Sequence, residues 1–188
     1  MADERHSKKT TIQPTKNAAD DEWAAREAAA RRAGRLTGLA GIGNPCRLRE
    51  WRVARSLDVL HRQVDAMAPH RRKDSDGTIG DAAHCARESD HNPHVSDGDM
   101  GVVTAIDITH DPLRGCDCTM LAEALRTSRD ARIKYVIWNA RMFASYIKAG
   151  QVAWEWRVYG GPNPHDRHMH VSVVGAKPLF DSTAPWTV

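Results

Sequence analysis

The run GVVTAIDI (101–108) constrains the fold of this chain more than any other stretch of it. Apolar residues occupy both alternating positions, so the run reads as one strand covered on both faces and central in its sheet. Asp107 sits inside that run, and burying an unpaired carboxylate is very costly. It requires a cation, a cage of hydrogen bonds or a raised pKa. Ala105, two residues earlier on the same face, leaves room beside the carboxylate. Capping of the following THDP turn, or a pair with an arginine, would answer the same need without a metal.

Histidine placement bears on the choice. Seven of the ten histidines fall in two windows, 84–110 and 165–170. In NPHDRHMHVSV (163–173), strand periodicity puts His168, His170 and Ser172 on one face, and Met169, Val171 and Val173 on the other. The apolar face packs inward; the histidine face is either open to water or the floor of a cleft. Two imidazoles and a carboxylate, with one coordination position left open, form a catalytic divalent-metal site. The candidate imidazoles are His91, His94 and His110 from the first window, and His168 or His170 from the second. Spacing alone does not choose among them.

The rest of the chain reads as a polar N-terminal region followed by one α+β domain. Residues 1–45 read as a disordered tail, a weak alanine-rich helix (DDEWAAREAAARRAGR, 20–35) and a glycine-bearing linker, with the domain spanning 46–188. Val53, Leu57, Leu60, Val64 and Met67 recur at helical spacing and predict a core-facing helix closed by Pro69. The polar stretch 70–100 is too long for a casual connector and reads as a functional loop. Residues 119–126 predict a short helix with Met120, Leu121, Ala124 and Leu125 grouped. IKYVIW (133–138) predicts a strand, ARMFASYIKAG (140–150) a helix, WEWRVY (154–159) a strand, and HMHVSVV (168–174) a final strand. Without βαβ regularity, these elements predict a single small domain with a mainly antiparallel central sheet flanked by helices.

Composition narrows the function classes. The net charge is +3, and residues 1–35 hold eight basic against six acidic side chains, leaving the rest nearly neutral. That balance argues against a nucleic-acid-binding core. No apolar run reaches the length of a membrane span, and LTGLAGIG (36–43) is too short for a signal-peptide core. Four cysteines, Cys46, Cys85, Cys116 and Cys118, include only one close pair, CDC. Free thiols are the favoured reading over a zinc ribbon, and a Cys46–Cys85 bridge stays open.

SDH (89–91), GVVTAID (101–107) and HDRHMHV (165–171), in that order, resemble the motifs of the LAS group of zinc peptidases. That group comprises lysostaphin-type enzymes, D-Ala-D-Ala peptidases and the hedgehog zinc domain. The second motif is most similar to that of the penicillin-insensitive murein endopeptidases, and chains of this layout occur among phage endolysins. The resemblance implies zinc held by His91, Asp107 and His170, with His94 a rival for the first position. It implies His168 beside the metal, stabilising or protonating the reaction centre, His165 as general base with Asp166 orienting it, and Ser89 contacting the substrate backbone. Sixteen positions separate His91 from Asp107, more than in the family, so NPHVSDGDM (92–100) must loop out.

The implied function is a zinc-dependent hydrolase, a peptidase that cleaves a stem or cross-link peptide of peptidoglycan. Arg87 is a further candidate, to hold a substrate carboxylate by a bidentate pair. The protein is expected to be a monomer made in the cytoplasm, acting on the cell wall when released by a holin, a virion or another route. Two alternatives accompany this reading. One is a non-catalytic binding domain of the same fold that retains zinc. The other is a non-haem Fe(II) oxygenase, which also uses two histidines and a carboxylate.

Overall fold

The structure, a computed structural model, describes residues 50–79, 88–148 and 150–188. The expected tail and linker, Cys46, Cys85 and Arg87 lie outside those residues. In chain order the elements are β1 (Trp51–Val53), α1 (Arg55–Met67), β2 (Val95–Asp97), β3 (Met100–Val103), β4 (Ala105–Thr109), α2 (Cys118–Ser128), β5 (Ile133–Trp138), β6 (Arg141–Ala144), β7 (Arg157–Val158), β8 (His168–Val173) and α3 (Lys177–Phe180). They form an α+β domain with a three-stranded sheet, ordered β1-β3-β2, and a five-stranded sheet, ordered β4-β8-β5-β6-β7. Among the described residues no helix is long and apolar enough to cross a membrane.

The run 101–108 is two strands, not one central strand. The chain changes partners at Thr104: β3 pairs with β1 and β2, whereas β4 pairs with β8. Thr104 itself donates its amide to the Asp90 carbonyl and accepts from the Val173 amide. β4 is therefore the edge of the larger sheet. Its outer side is covered by the segment 75–77: Ser75 and Asp76 bond to Thr109, and Gly77 bonds through both its N–H and its C=O to the Asp107 backbone, at 3.2 and 2.8 Å. The buried apolar character comes from packing on one face and from this covering segment, which periodicity cannot separate from a central strand.

Every pairing in the larger sheet is antiparallel, so residues opposite one another share a face. Ile106, Ile108, Val136, Phe143, Met169, Val171 and Val173 point to one side, where they join Leu57, Leu60 and Val64 of α1 and Leu121, Ala122 and Leu125 of α2 in the core. On the opposite side one row crosses the sheet in register: Asp107, His170, Ile137, Met142 and Arg157. That face carries the chemistry.

Four helix and strand expectations change. Residues 141–144 are a strand, not a helix, because Asn139 and Ala140 take left-handed conformations (φ 48° and 57°) and turn the chain in two residues. Two positive φ values form the turn whose twist suits a β-hairpin. The amides of Asn139 and Ala140 also donate to the carbonyls of His165 and Pro164, a tertiary anchor invisible in the local pattern. The strand expected at 154–159 shortens to β7, since Trp154 has φ 66°. Val53 belongs to β1, so α1 starts at Arg55; Met67 is 53% exposed and Ala68 takes the inner position. In α2, Met120 is exposed and Ala122 lies inward. Cys116 and Cys118 are free and buried, their thiols donating to the carbonyls of Thr109 and Ile108.

The segment that covers β4 is held by a buried ion network. The Arg71 side chain is fully buried and donates to Asp76 at 2.6 and 2.8 Å and to Asp65 at 2.8 Å. Asp76 accepts from His61 and from both the amide and the hydroxyl of Thr109. Burial disfavours ionised Asp76, but the bonds from His61, Arg71 and Thr109 outweigh it and hold the carboxyl well below the usual carboxylate range. Because the folded-state pKa is the lower one, this stabilisation is complete above the unfolded value of about 3.9 and is lost progressively below it. Breaking such a pair leaves the buried Arg71 with Asp65 alone, so Asp76→Asn should cost about 3 kcal/mol at neutral pH. In urea denaturation the deficit should narrow as the pH falls from about 4 toward 2. A deficit that does not change with pH would mean that Asp76 acts by packing alone.

Candidate metal centre

Asp107 and His170 face one another across the β4–β8 pair. His91 reaches them from the loop before β2. That loop is a tight turn: Asn92 donates its amide to the Ser89 carbonyl, and His91 donates its amide to Ser89 Oγ. The Asp90 carbonyl anchors the turn to Thr104, where the chain crosses between the sheets. The insert 92–100 leaves this point and returns as the β2–β3 hairpin, turned at Gly98 with φ 61°. The fifteen intervening residues thus cost His91 nothing in reach.

The geometry is that of donor atoms aimed at one point. His91 Nε2 lies 3.1 Å from His170 Nδ1 and 3.3 Å from Asp107 Oδ1, and His170 Nδ1 lies 3.1 Å from the same oxygen. The triangle's edges match donors about 2.0–2.1 Å from one tetrahedral ion, which stand about 3.3–3.4 Å apart. The far nitrogens are engaged elsewhere. His91 Nδ1 donates to the Thr78 carbonyl at 2.7 Å, which leaves the Nε2 lone pair facing the centre. His170 Nε2 bonds to Ser172 Oγ at 3.0 Å, which turns Nδ1 inward. His91, Asp107 and His170 could hold a metal ion.

Electrostatics agree with a site built for positive charge. Burial acts against ionised Asp107, but His170 and His91 hold its carboxyl below the ordinary range. His91 moves the other way: burial lowers it, and Asp107 raises it further. A Cβ on Gly77 would come within 3.2 Å of Asp107 Oδ2, so glycine lets the covering segment approach the carboxylate. Beneath His170, the Tyr135 ring stacks on the imidazole at 5.4 Å. Asp90 and Lys134 form a buried ion pair at 2.9 Å, linked through Ser172 to the His170 ring. The Asp90 charge and burial together raise Tyr135, keeping its phenol neutral.

Two further imidazoles flank the centre. Asp107, His165 and His168 form a second group, sharing the carboxylate with the first, whose candidate ligand atoms lie within 4.8 Å of one another. His168 Nε2 is 3.8 Å from Asp107 Oδ2, and its buried Nδ1 has no hydrogen-bond partner among the described residues. His165 is buried and left-handed, with φ 55°. Its amide donates to Asn163 Oδ1, and its Nδ1 donates to the Asn163 carbonyl at 2.8 Å. Nε2 is thereby left as an acceptor. Burial, with the like charges of His170 and His168, pushes His165 down to about 4.

Of the sequence candidates, His91, Asp107, His170, His168 and His165 converge. His94 is exposed and belongs to neither group, and His110 packs against Trp138 with Nδ1 accepting from the Cys118 amide. Ser89 Oγ accepts from the amide of His91, within its own turn. Asp166 is exposed, and the expected bond to His165 is made instead by the Asn163 carbonyl. Sequence reading missed Thr78, Asn163, Tyr135 and the Asp90–Lys134 pair; only Ser172 carried a signal, through its alternation with His170.

No family model matches the chain, and neither does any curated protein or solved structure.

His91→Ala, Asp107→Ala and His170→Ala should each lose stoichiometric divalent metal, and His94→Ala should keep it, in elemental analysis of dialysed protein. Ser172→Ala frees the His170 ring and should weaken metal binding about 10- to 100-fold, read by competition with a chromogenic chelator.

Proposed function

We propose that this chain is a zinc metallopeptidase that hydrolyses a peptide bond of bacterial peptidoglycan, a cell-wall lysin of the LAS type. One observation carries the reading: three donor atoms, the two imidazoles each turned inward by a fixed outer partner, meet beside two further imidazoles outside the triad. Zinc in such a set, with a position left open, lowers the pKa of its water to about 7 and polarises a carbonyl.

His91, Asp107 and His170 are the residues that would hold the ion. His165 is the general base: its Nε2 carries the lone pair, and its burial keeps the ring neutral. His168 lies on the same strand face as His170 and stabilises the oxyanion as the amide carbonyl is attacked. Asn163 positions His165 through two hydrogen bonds and so does what was expected of Asp166. A non-catalytic zinc domain has no use for an imidazole held in a left-handed backbone conformation, and such outliers collect at working sites.

Elemental analysis of the purified protein separates zinc from iron. Mass spectrometry of muropeptides released from purified walls identifies the bond that is cut. His165→Ala should bind metal as wild type does and lose about 10²–10⁴-fold in kcat. A variant of His165 that loses its metal would make this residue a ligand, and near wild-type turnover would move the base elsewhere.

A further inference from the structure

The sheet face that carries the metal centre continues past it to β7. Asp107, His170, Ile137, Met142 and Arg157 lie in register across it, so Arg157 is three strands from His170 on the same side. The alternation in β7 supports that placement. Trp156 turns to the helix side, where Nε1 donates to Glu123 of α2 and the ring meets Phe143, so Arg157 faces the other way. Tyr159, two residues on, touches the His165 ring at 5.5 Å, and His165 in turn lies 5.5 Å from the His170 ring. Arg157 thus stands at the far end of the row that begins with the metal ligands.

There two of the three guanidinium nitrogens lack a partner among the described residues. Nη1 and Nη2 of Arg157 are both buried and neither makes a hydrogen bond among the described residues. Arg71 and Arg132, the buried arginines among the described residues, are by contrast satisfied: Arg71 by two aspartates, and Arg132 by Asp130 and the carbonyls of Ala184 and Pro185. Arg157 lines an open recess of about 310 Å³ together with Gly150, Gln151, Val152, Glu155 and Trp156. Glu155 is exposed and makes no ion pair with it among the described residues. A buried charged donor without a partner costs free energy that a bound anion returns.

We infer that Arg157 is the anion-binding end of the substrate cleft and seats a carboxylate of the peptide substrate by a bidentate pair. Three strand spacings put its backbone about 14 Å from that of His170. An extended peptide covers this distance in about four residues. The substrate class is thus a peptide with a carboxylate about four residues from the bond that is cut. The inference rests on the peptidase reading for the word substrate, but the anion seat can be tested without turnover.

The test uses the full chain loaded with zinc and a tetraglycine probe with a free C-terminal carboxylate, compared with its carboxamide, by calorimetry. Wild type should bind the carboxylate form roughly ten- to a hundred-fold more tightly. In Arg157→Met, which keeps the apolar stem, the two forms should bind alike; Arg157→Lys should retain part of the preference, since it keeps charge without the fork. Circular dichroism checks that each variant is folded, and metal content that the centre is intact. Equal binding of both forms by wild type would overturn the inference, as would a preference that persists in Arg157→Met, because the carboxylate would then be seated on the metal. A preference that depends on Arg157, in a protein that releases no muropeptides, would retain the anion seat and reject the peptidase.

Discussion

The structure is organised around the problem of keeping one carboxylate charged inside a β-strand. Asp107 gives both of its backbone bonds to Gly77 on the outer edge of β4 and stands opposite His170 of β8 on the inner. Its side chain then meets His170 from the neighbouring strand and His91 from a distant turn. Each contact depends on support behind it. Gly77 stays in place because Asp76 is tied to Arg71 and Thr109, and His91 because its ring is tied to Thr78 in the same segment. The covering segment thus serves the backbone and the centre at once.

Much of this was legible in the sequence where a charge or ring sat against its surroundings. An aspartate inside an apolar run and two histidines alternating on a strand were anomalies that a bland core does not explain. They pointed to a metal centre, and the resemblance of the motifs to those of the LAS group chose His91, Asp107 and His170, which lie together, with His165 and His168 beside them. Local periodicity also gave β5, β8, α2 and most of α1. These elements are decided by nearby residues and by one buried face.

What stayed hidden was decided by tertiary partners. Residues 140–150 have helical composition, but two left-handed residues and the docking of that turn on 164–165 make them a hairpin arm. The run 101–108 looks continuous because its apolar character does not stop at Thr104; only the pairing does. Asp166 seemed the natural partner for His165 as its chain neighbour, yet a left-handed backbone turned the ring to the carbonyl of Asn163. Outer partners such as Thr78 and Tyr135 are ordinary residues in ordinary patterns, and nothing in the sequence marks them.

The place of β8 in the larger sheet has a consequence for biosynthesis. It is the last strand in the chain, yet it lies between β4 and β5 and pairs with both. The sheet therefore cannot close as the polypeptide grows, since its earlier strands must wait for a neighbour that comes last. Such non-local pairing is slow, because loop closure precedes the contacts that reward it. His165, His168 and His170 travel with that late strand. A nascent or truncated chain that stops before it has neither a complete core nor His165, His168 and His170, so the candidate centre assembles only after the strand that joins β4 to β5 has been made.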